Sequence, residues 1–269
     1  MRSQGSTEEA AKLYLQAAID FEKNGKVADA AQAYNEAGLL LAETGKDEDG
    51  VKLYLKAIEA FDKVRDSEGK ADSSYNACVA FNNLGSYEEA AKNCSVALKI
   101  YEESKSEEKM GDALYGLGLA YMGQGKFDDG LNLFNRALDI CKRMGNFEGI
   151  MSISLDIGNT YLKKEDFEKA LDSFKSALSV AQKLKDDGSI ADTLSAMGEA
   201  YELSEDYRRS ADSFLSAAEK YLNAGMGELA EEYTYRIENL LPELTSVTAD
   251  KMKKRVEEIR SGITKQQKQ

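Results

Sequence analysis

Few side chains in this sequence could do covalent or acid–base chemistry. Cysteines stand at positions 78, 94 and 141, and there is no histidine and no tryptophan. Without histidine the usual general base, the usual metal ligand and every imidazole-activated nucleophile are missing. The cysteines are odd in number and lack CxxC spacing, which fits neither a disulfide framework nor a zinc site. Cys78, Cys94 and Cys141 are therefore expected as small buried apolar residues in a reducing compartment. Glu199, Glu202 and Asp206 share a helical face, but unaided by histidine they read as solvated charge. Gly116-Leu117-Gly118 lies inside a helical pattern, and no phosphate-binding G-x-x-x-x-G-K-[ST] run or EF-hand loop occurs. The expectation is a chain with no enzymatic activity, no metal and no cofactor.

Charge narrows the partners. Thirty-five basic against forty-eight acidic residues give −13, which disfavours nucleic acid and favours a basic protein partner. From Thr248 to Gln269 seven basic residues face three acidic ones, so that segment is +4 and the remainder −17. No apolar stretch approaches membrane-spanning length. The N-terminus is polar, and residues 1–6 are expected as a disordered leader or tag remnant. A cytoplasmic location follows as the default.

The elements that must position any site are helices. Proline occurs once, at Pro242, and apolar residues recur at i, i+3, i+4 and i+7. A pattern repeats every forty residues. Leu117-Gly118, Tyr121, Gly130, Phe134 and Ala137 correspond to Ile157-Gly158, Tyr161, Ala170, Phe174 and Ala177, and to Met197-Gly198, Tyr201, Ser210, Phe214 and Ala217. Backwards they correspond to Ala77-Cys78, Phe81, Ala90, Cys94 and Ala97, and to Ala37-Gly38, Leu41, Gly50, Tyr54 and Ala57. Each copy reads as two helices joined by a turn such as Gln124-Gly125-Lys126 or Ser204-Glu205-Asp206. Mid-helix glycine costs about 1 kcal/mol against alanine. Gly118, Gly158 and Gly198 are thus expected to admit a ring such as Tyr121 or Phe134 from a neighbouring helix. The first helix, about Thr7–Lys23, reads as half a repeat. A competing phase would make Ala18, Phe21, Ala30, Tyr34 and Ala37 a full repeat, and the unbroken forty-residue register favours the former.

From Leu39 to about Tyr221 these motifs resemble the tetratricopeptide repeat family, in a variety with period forty rather than the family's usual thirty-four. Kinesin light chains have repeats of this kind. The N-terminal third more faintly resembles soluble NSF attachment proteins. The resemblance implies an all-α solenoid of about thirteen antiparallel helices in a right-handed superhelix over residues 7–241. A basic capping helix and tail would follow over 242–269, its stripe of Met252, Val256, Ile259 and Ile263 closing the array.

The resemblance also implies a concave groove lined by the first helix of each repeat. Carried onto this chain, the groove residues are Asn35, Asp72, Tyr75, Val79, Asn82, Asp112, Tyr115, Leu119, Met122, Leu155, Asn159, Leu162 and Asp192. Asn82 and Asn159 would hold an extended backbone, the tyrosines and apolar residues would anchor side chains, and Asp72, Asp112 and Asp192 would form an acidic edge. The ligand expected is a basic peptide or amphipathic helix with apolar anchors, bound by a non-enzymatic adaptor or scaffold. The alternative is an attachment-protein-like adaptor coupling a helical client to an AAA-type ATPase. Self-association through the C-terminal helix is a further expectation. The family's clamp for chaperone carboxyl termini uses basic groove residues, which these acidic and apolar positions do not supply.

Overall fold

A computed structural model describes residues 2–266, which form thirteen α-helices and one short 3₁₀ turn, with no strand among the described residues. They divide between Met144 and Gly145 into two compact units. Unit 1 holds α1 (Arg2–Lys23), α2 (Val27–Glu43), α3 (Asp47–Val64), α4 (Ser67–Asn83), α5 (Tyr87–Ser104), α6 (Glu107–Gly123) and α7 (Phe127–Met144). Unit 2 holds α8 (Phe147–Lys163), α9 (Phe167–Leu184), α10 (Asp187–Leu203), α11 (Tyr207–Asn223), α12 (Gly227–Leu240), the 3₁₀ turn Leu241–Glu243 and α13 (Ser246–Gln266). Residues 2–6, expected as part of a disordered leader or tag remnant, are instead helical and form the start of α1; Met1 and the end of the expected tail, 267–269, lie outside the described residues.

One contact, repeated, builds the core. Tyr54, Phe134, Phe174 and Phe214 are all but inaccessible, and each lays its ring on the glycine sixteen residues earlier. A Cβ at Gly38 would lie 2.7 Å from the Tyr54 ring, one at Gly118 2.6 Å from Phe134, and one at Gly198 2.5 Å from Phe214. Gly158 meets Phe174 in the same way. That close approach offsets the helix-propensity cost of each glycine. The ring over Gly118 is Phe134, and Tyr121 instead faces the Lys126 ammonium at 5.3 Å. Ala57, Ala97, Ala137, Ala177 and Ala217 are fully buried at the matching place on the second helices. Because Gly38 and Tyr54 pair α2 with α3, the first repeat keeps the register of the others and α1 stands outside it as a half repeat.

The second repeat departs from this rule and corrects the expectation for the cysteines. Cys78 and Cys94 occupy the glycine and ring positions, and their sulfurs are joined in a disulfide. Both are fully buried, and a Cβ at Gly116 would lie 2.8 Å from Cys94 Sγ. Free, reduced thiols were expected because neither count nor spacing matched a framework. The signal that could have found the bond was the register, which places 78 and 94 opposite each other. Cys141 alone is free, and it is buried. The buried disulfide also removes the reduced-thiol premise from the cytoplasmic expectation.

Turns follow local chemistry. Gly45, Gly85 and Gly125 end first-type helices at positive φ, and Glu165 and Glu205 take the same left-handed conformation at φ 58° and 61° despite carrying side chains. Asp166 and Asp206 then cap α9 and α11, accepting from the backbone N–H groups of Lys169 and Arg209. In unit 2, Met252, Val256, Ile259 and Ile263 of α13 are buried in one cluster with Tyr221, Ile237 and Leu240, so the stripe is covered within the unit. Arg260 grips Glu238 with two hydrogen bonds of 2.7 and 2.8 Å. No helix among the described residues is long and apolar enough to cross a membrane.

Candidate functional site

In unit 1 the first-type helices α2, α4 and α6 are neighbours and open a cleft of roughly 360 Å³. Asn35 and Leu39 of α2, Asp72 and Tyr75 of α4, and Asp112 of α6 line it. Four of the thirteen expected residues thus converge on one cavity. They do not play equal parts, because the protein itself has taken several of their bonds.

Asn35 is buried, and its Oδ1 accepts from Ser73 Oγ and Asn76 Nδ2, each at 3.0 Å. Its Nδ2 hydrogens have no acceptor among the described residues. Asp72 accepts the Tyr101 phenol at 2.7 Å and the Lys109 ammonium at 2.8 and 3.1 Å, and Lys109 also reaches Glu68 at 3.1 Å. Burial, and then the bond to Asp72, push the Tyr101 phenol far above its ordinary range. Asp72 is therefore not a free acidic edge.

Asp112 differs. In the other aspartate repeats the residue twenty-nine positions on is a tyrosine that donates to the carboxylate: Tyr101 to Asp72, and in unit 2 Tyr221 to Asp192 at 2.6 Å. After Asp112 that position is Cys141, whose thiol is a weak donor. Among the described residues Asp112 makes no hydrogen bond. One side of it is open to solvent; the protein crowded on the other sides raises its pKa, and the like charge of Glu108 one turn away adds to this. Tyr75 lines the same cleft, likewise without a hydrogen bond, and its phenol is pushed up to about 12 by burial and then by Asp112. Burial and the same carboxylate also raise the Cys141 thiol.

The remaining expected residues fall into two groups. Asn82, expected to hold a ligand's backbone, braces two helices in this structure: its Nδ2 donates to the Gly116 carbonyl at 2.9 Å, and its Oδ1 is buried without a partner. Met122 packs on Gly130 and Tyr115 on the Phe134 ring at 5.5 Å, while Val79 stays exposed and Leu119 half-buried. In unit 2, Leu155 and Leu162 are half-buried beside Phe174 and Met197, and Asn159 is exposed. Arg236 of α12, missed from sequence, reaches Glu199 at 2.7 Å and Glu202 at 2.8 Å and lies over the Phe214 ring at 4.2 Å, so it neutralises those carboxylates. Lys109 was missed likewise. Both cations stand on a neighbouring first-type helix thirty-four to forty-one residues from their acids, spacings that a search at exactly forty overlooks.

Helical hairpins locked ring on glycine at forty-residue spacing define a tetratricopeptide-repeat fold. Family models of the tetratricopeptide repeat match residues 111–143 and 149–223, and the model of soluble NSF attachment protein matches residues 2–121. Among solved structures the chain is similar to BtubC (BKLC) from P. vanneervenii, at 19% identity and TM-score 0.67 over 84% of this chain and 91% of that one. A kinesin light chain of Podosopora anserina with nearly identical TPR-like repeats gives 14% identity and TM-score 0.61, over 72% and 95%. Aspartyl phosphate phosphatase F from Bacillus subtilis gives 14% and 0.57, over 88% and 72%. At these identities the likeness is one of fold. No curated protein matches the chain.

Proposed function

We propose that the chain is a non-enzymatic interaction module that holds an extended peptide or amphipathic helix against the first-type helices of its repeats. The observation that supports this most is the cleft of α2, α4 and α6: the Tyr75 phenol, the Asp112 carboxylate and the Asn35 amide hydrogens are left uncommitted there while the ring-on-glycine packing is closed. Tyr75, Val79 and Leu119 supply half-buried or exposed apolar area for anchors. The partner is basic, since the chain carries −13. Selection of a displayed peptide library on the whole chain tests the reading. Peptides so selected should bind the wild type and lose roughly tenfold or more in affinity on Tyr75→Ala, as truncated hot spots do. Selected peptides indifferent to Tyr75→Ala and Leu119→Ala would overturn it.

A second reading is an adaptor that couples a helical client to an AAA-type ATPase. The match of residues 2–121 to the attachment-protein model favours it, and the chain's acidic balance does not. Binding to such an ATPase, measured in parallel, separates the two.

A further inference from the structure

We infer that Asp112 is the floor of a subsite for one basic side chain of the bound peptide, arginine above lysine. The inference rests on the groove reading just given and adds the residue that recognises the ligand's charge. Three aspartates hold one position in three repeats, and the protein answers two of them with a phenol, Tyr101 to Asp72 and Tyr221 to Asp192. At the third the phenol is replaced by Cys141, and the carboxylate of Asp112 has no hydrogen bond among the described residues. The nearest cation on its own helix, Lys109, is held one turn away by Asp72 and Glu68.

The surroundings fit a guanidinium. Tyr75 contributes a phenol oxygen that can accept, and aromatic area on which a planar cation can stack. Leu39 and Phe61 form an apolar wall for the methylene stem. Asn35 Nδ2 keeps hydrogens for the carbonyl of the same peptide residue. At roughly 360 Å³ the cleft is at the small end of ligand-sized cavities, enough for one long side chain and not a fused ring system. Ammonium, a compact and strongly hydrated charge, gains less from the rings. The occupant is a peptide residue rather than free arginine, because the amide and the apolar wall engage backbone and stem together.

The test selects random displayed peptides on the wild type and on Asp112→Asn, which keeps the shape and removes the charge. Wild-type selection should enrich arginine, and lysine less, at a fixed distance from an apolar anchor. The Asp112→Asn selection should keep the anchor and lose the basic position. One selected peptide, remade with citrulline for its arginine, completes a cycle. Either change alone should weaken binding about tenfold or more, and both together little further, as for a directly paired charge. Equal basic enrichment on Asp112→Asn, or additive losses in the cycle, would overturn the subsite. So would anchors selected with no basic position, which would leave the groove reading standing. A wild type that selects no peptide would overturn both.

Discussion

Cleaving the bond between Cys78 and Cys94 should cost unit 1 a measurable and restorable amount of stability. The bond closes a loop of sixteen residues. For a loop near that length the chain-entropy estimate is about 3 kcal/mol at 25 °C. In a unit of 144 residues each kcal/mol moves the midpoint by roughly 2–4 °C, so reduction should lower the melting of unit 1 by about 6–12 °C. Circular dichroism with and without a phosphine reductant measures this. Thiol titration in denaturant should count one thiol without reductant and three with it. The decisive variant is Cys78→Gly with Cys94→Phe, which installs the ring-on-glycine pair of the other repeats. Gly116 presents no side chain against position 94. This variant should melt within a few degrees of the oxidised protein and ignore reductant, whereas Cys78→Ala with Cys94→Ala should melt like the reduced protein. Three thiols in unreduced protein would refute the pairing. A reductant effect that persists in the Gly/Phe variant would refute the equivalence of bond and ring.

Three further outcomes are expected. Glu165→Gly and Glu205→Gly should each stabilise by up to about 1 kcal/mol in denaturant titrations, since only glycine enters the left-handed region without steric cost. Gly158→Leu or Gly198→Leu should destabilise by about 1–3 kcal/mol or more by overpacking the ring, while exposed Lys163→Ala should change stability by under about 0.5 kcal/mol. Tyr101 and Tyr221 hold their protons far longer folded than unfolded, through burial first and their carboxylate bonds second. Their stabilisation is complete below the ordinary phenol value near pH 10 and is lost as pH rises beyond it. Absorbance titration at alkaline pH should therefore show late phenols that disappear in Tyr101→Phe and Tyr221→Phe; their ionisation alongside the exposed tyrosines would contradict the burial.

The repeat was legible because its causes are local: a helical period, a glycine, and an aromatic sixteen residues later, in one register from Gly38 to Phe214. The apolar stripe of α13, Met252, Val256, Ile259 and Ile263, was legible for the same reason, and it is buried. The site was half legible. Register placed Asn35, Asp72, Tyr75 and Asp112 on one cleft, but it could not say which were already bonded. That depends on Tyr101, Lys109 and Arg236, side chains of neighbouring helices whose reach the periodicity does not encode. Asn82 shows the same limit, since an amide that suits a peptide backbone also suits the Gly116 carbonyl. The disulfide was missed because the cysteines were counted as a set rather than set in the register that aligned their neighbours.

The core contact has a kinetic consequence. Tyr54, Phe134, Phe174 and Phe214 each meet a glycine sixteen residues away, and the disulfide spans the same interval, so the ring-on-glycine contact of each repeat forms without a long chain closure. Chains with contacts this local fold toward the microsecond-to-millisecond end of the range. In repeat arrays order is gained and lost by neighbouring modules rather than by the chain at once. Hydrogen exchange should then trace a profile of separate openings, with amides of α4 and α5 slowed by their covalent tie and released first when it is reduced.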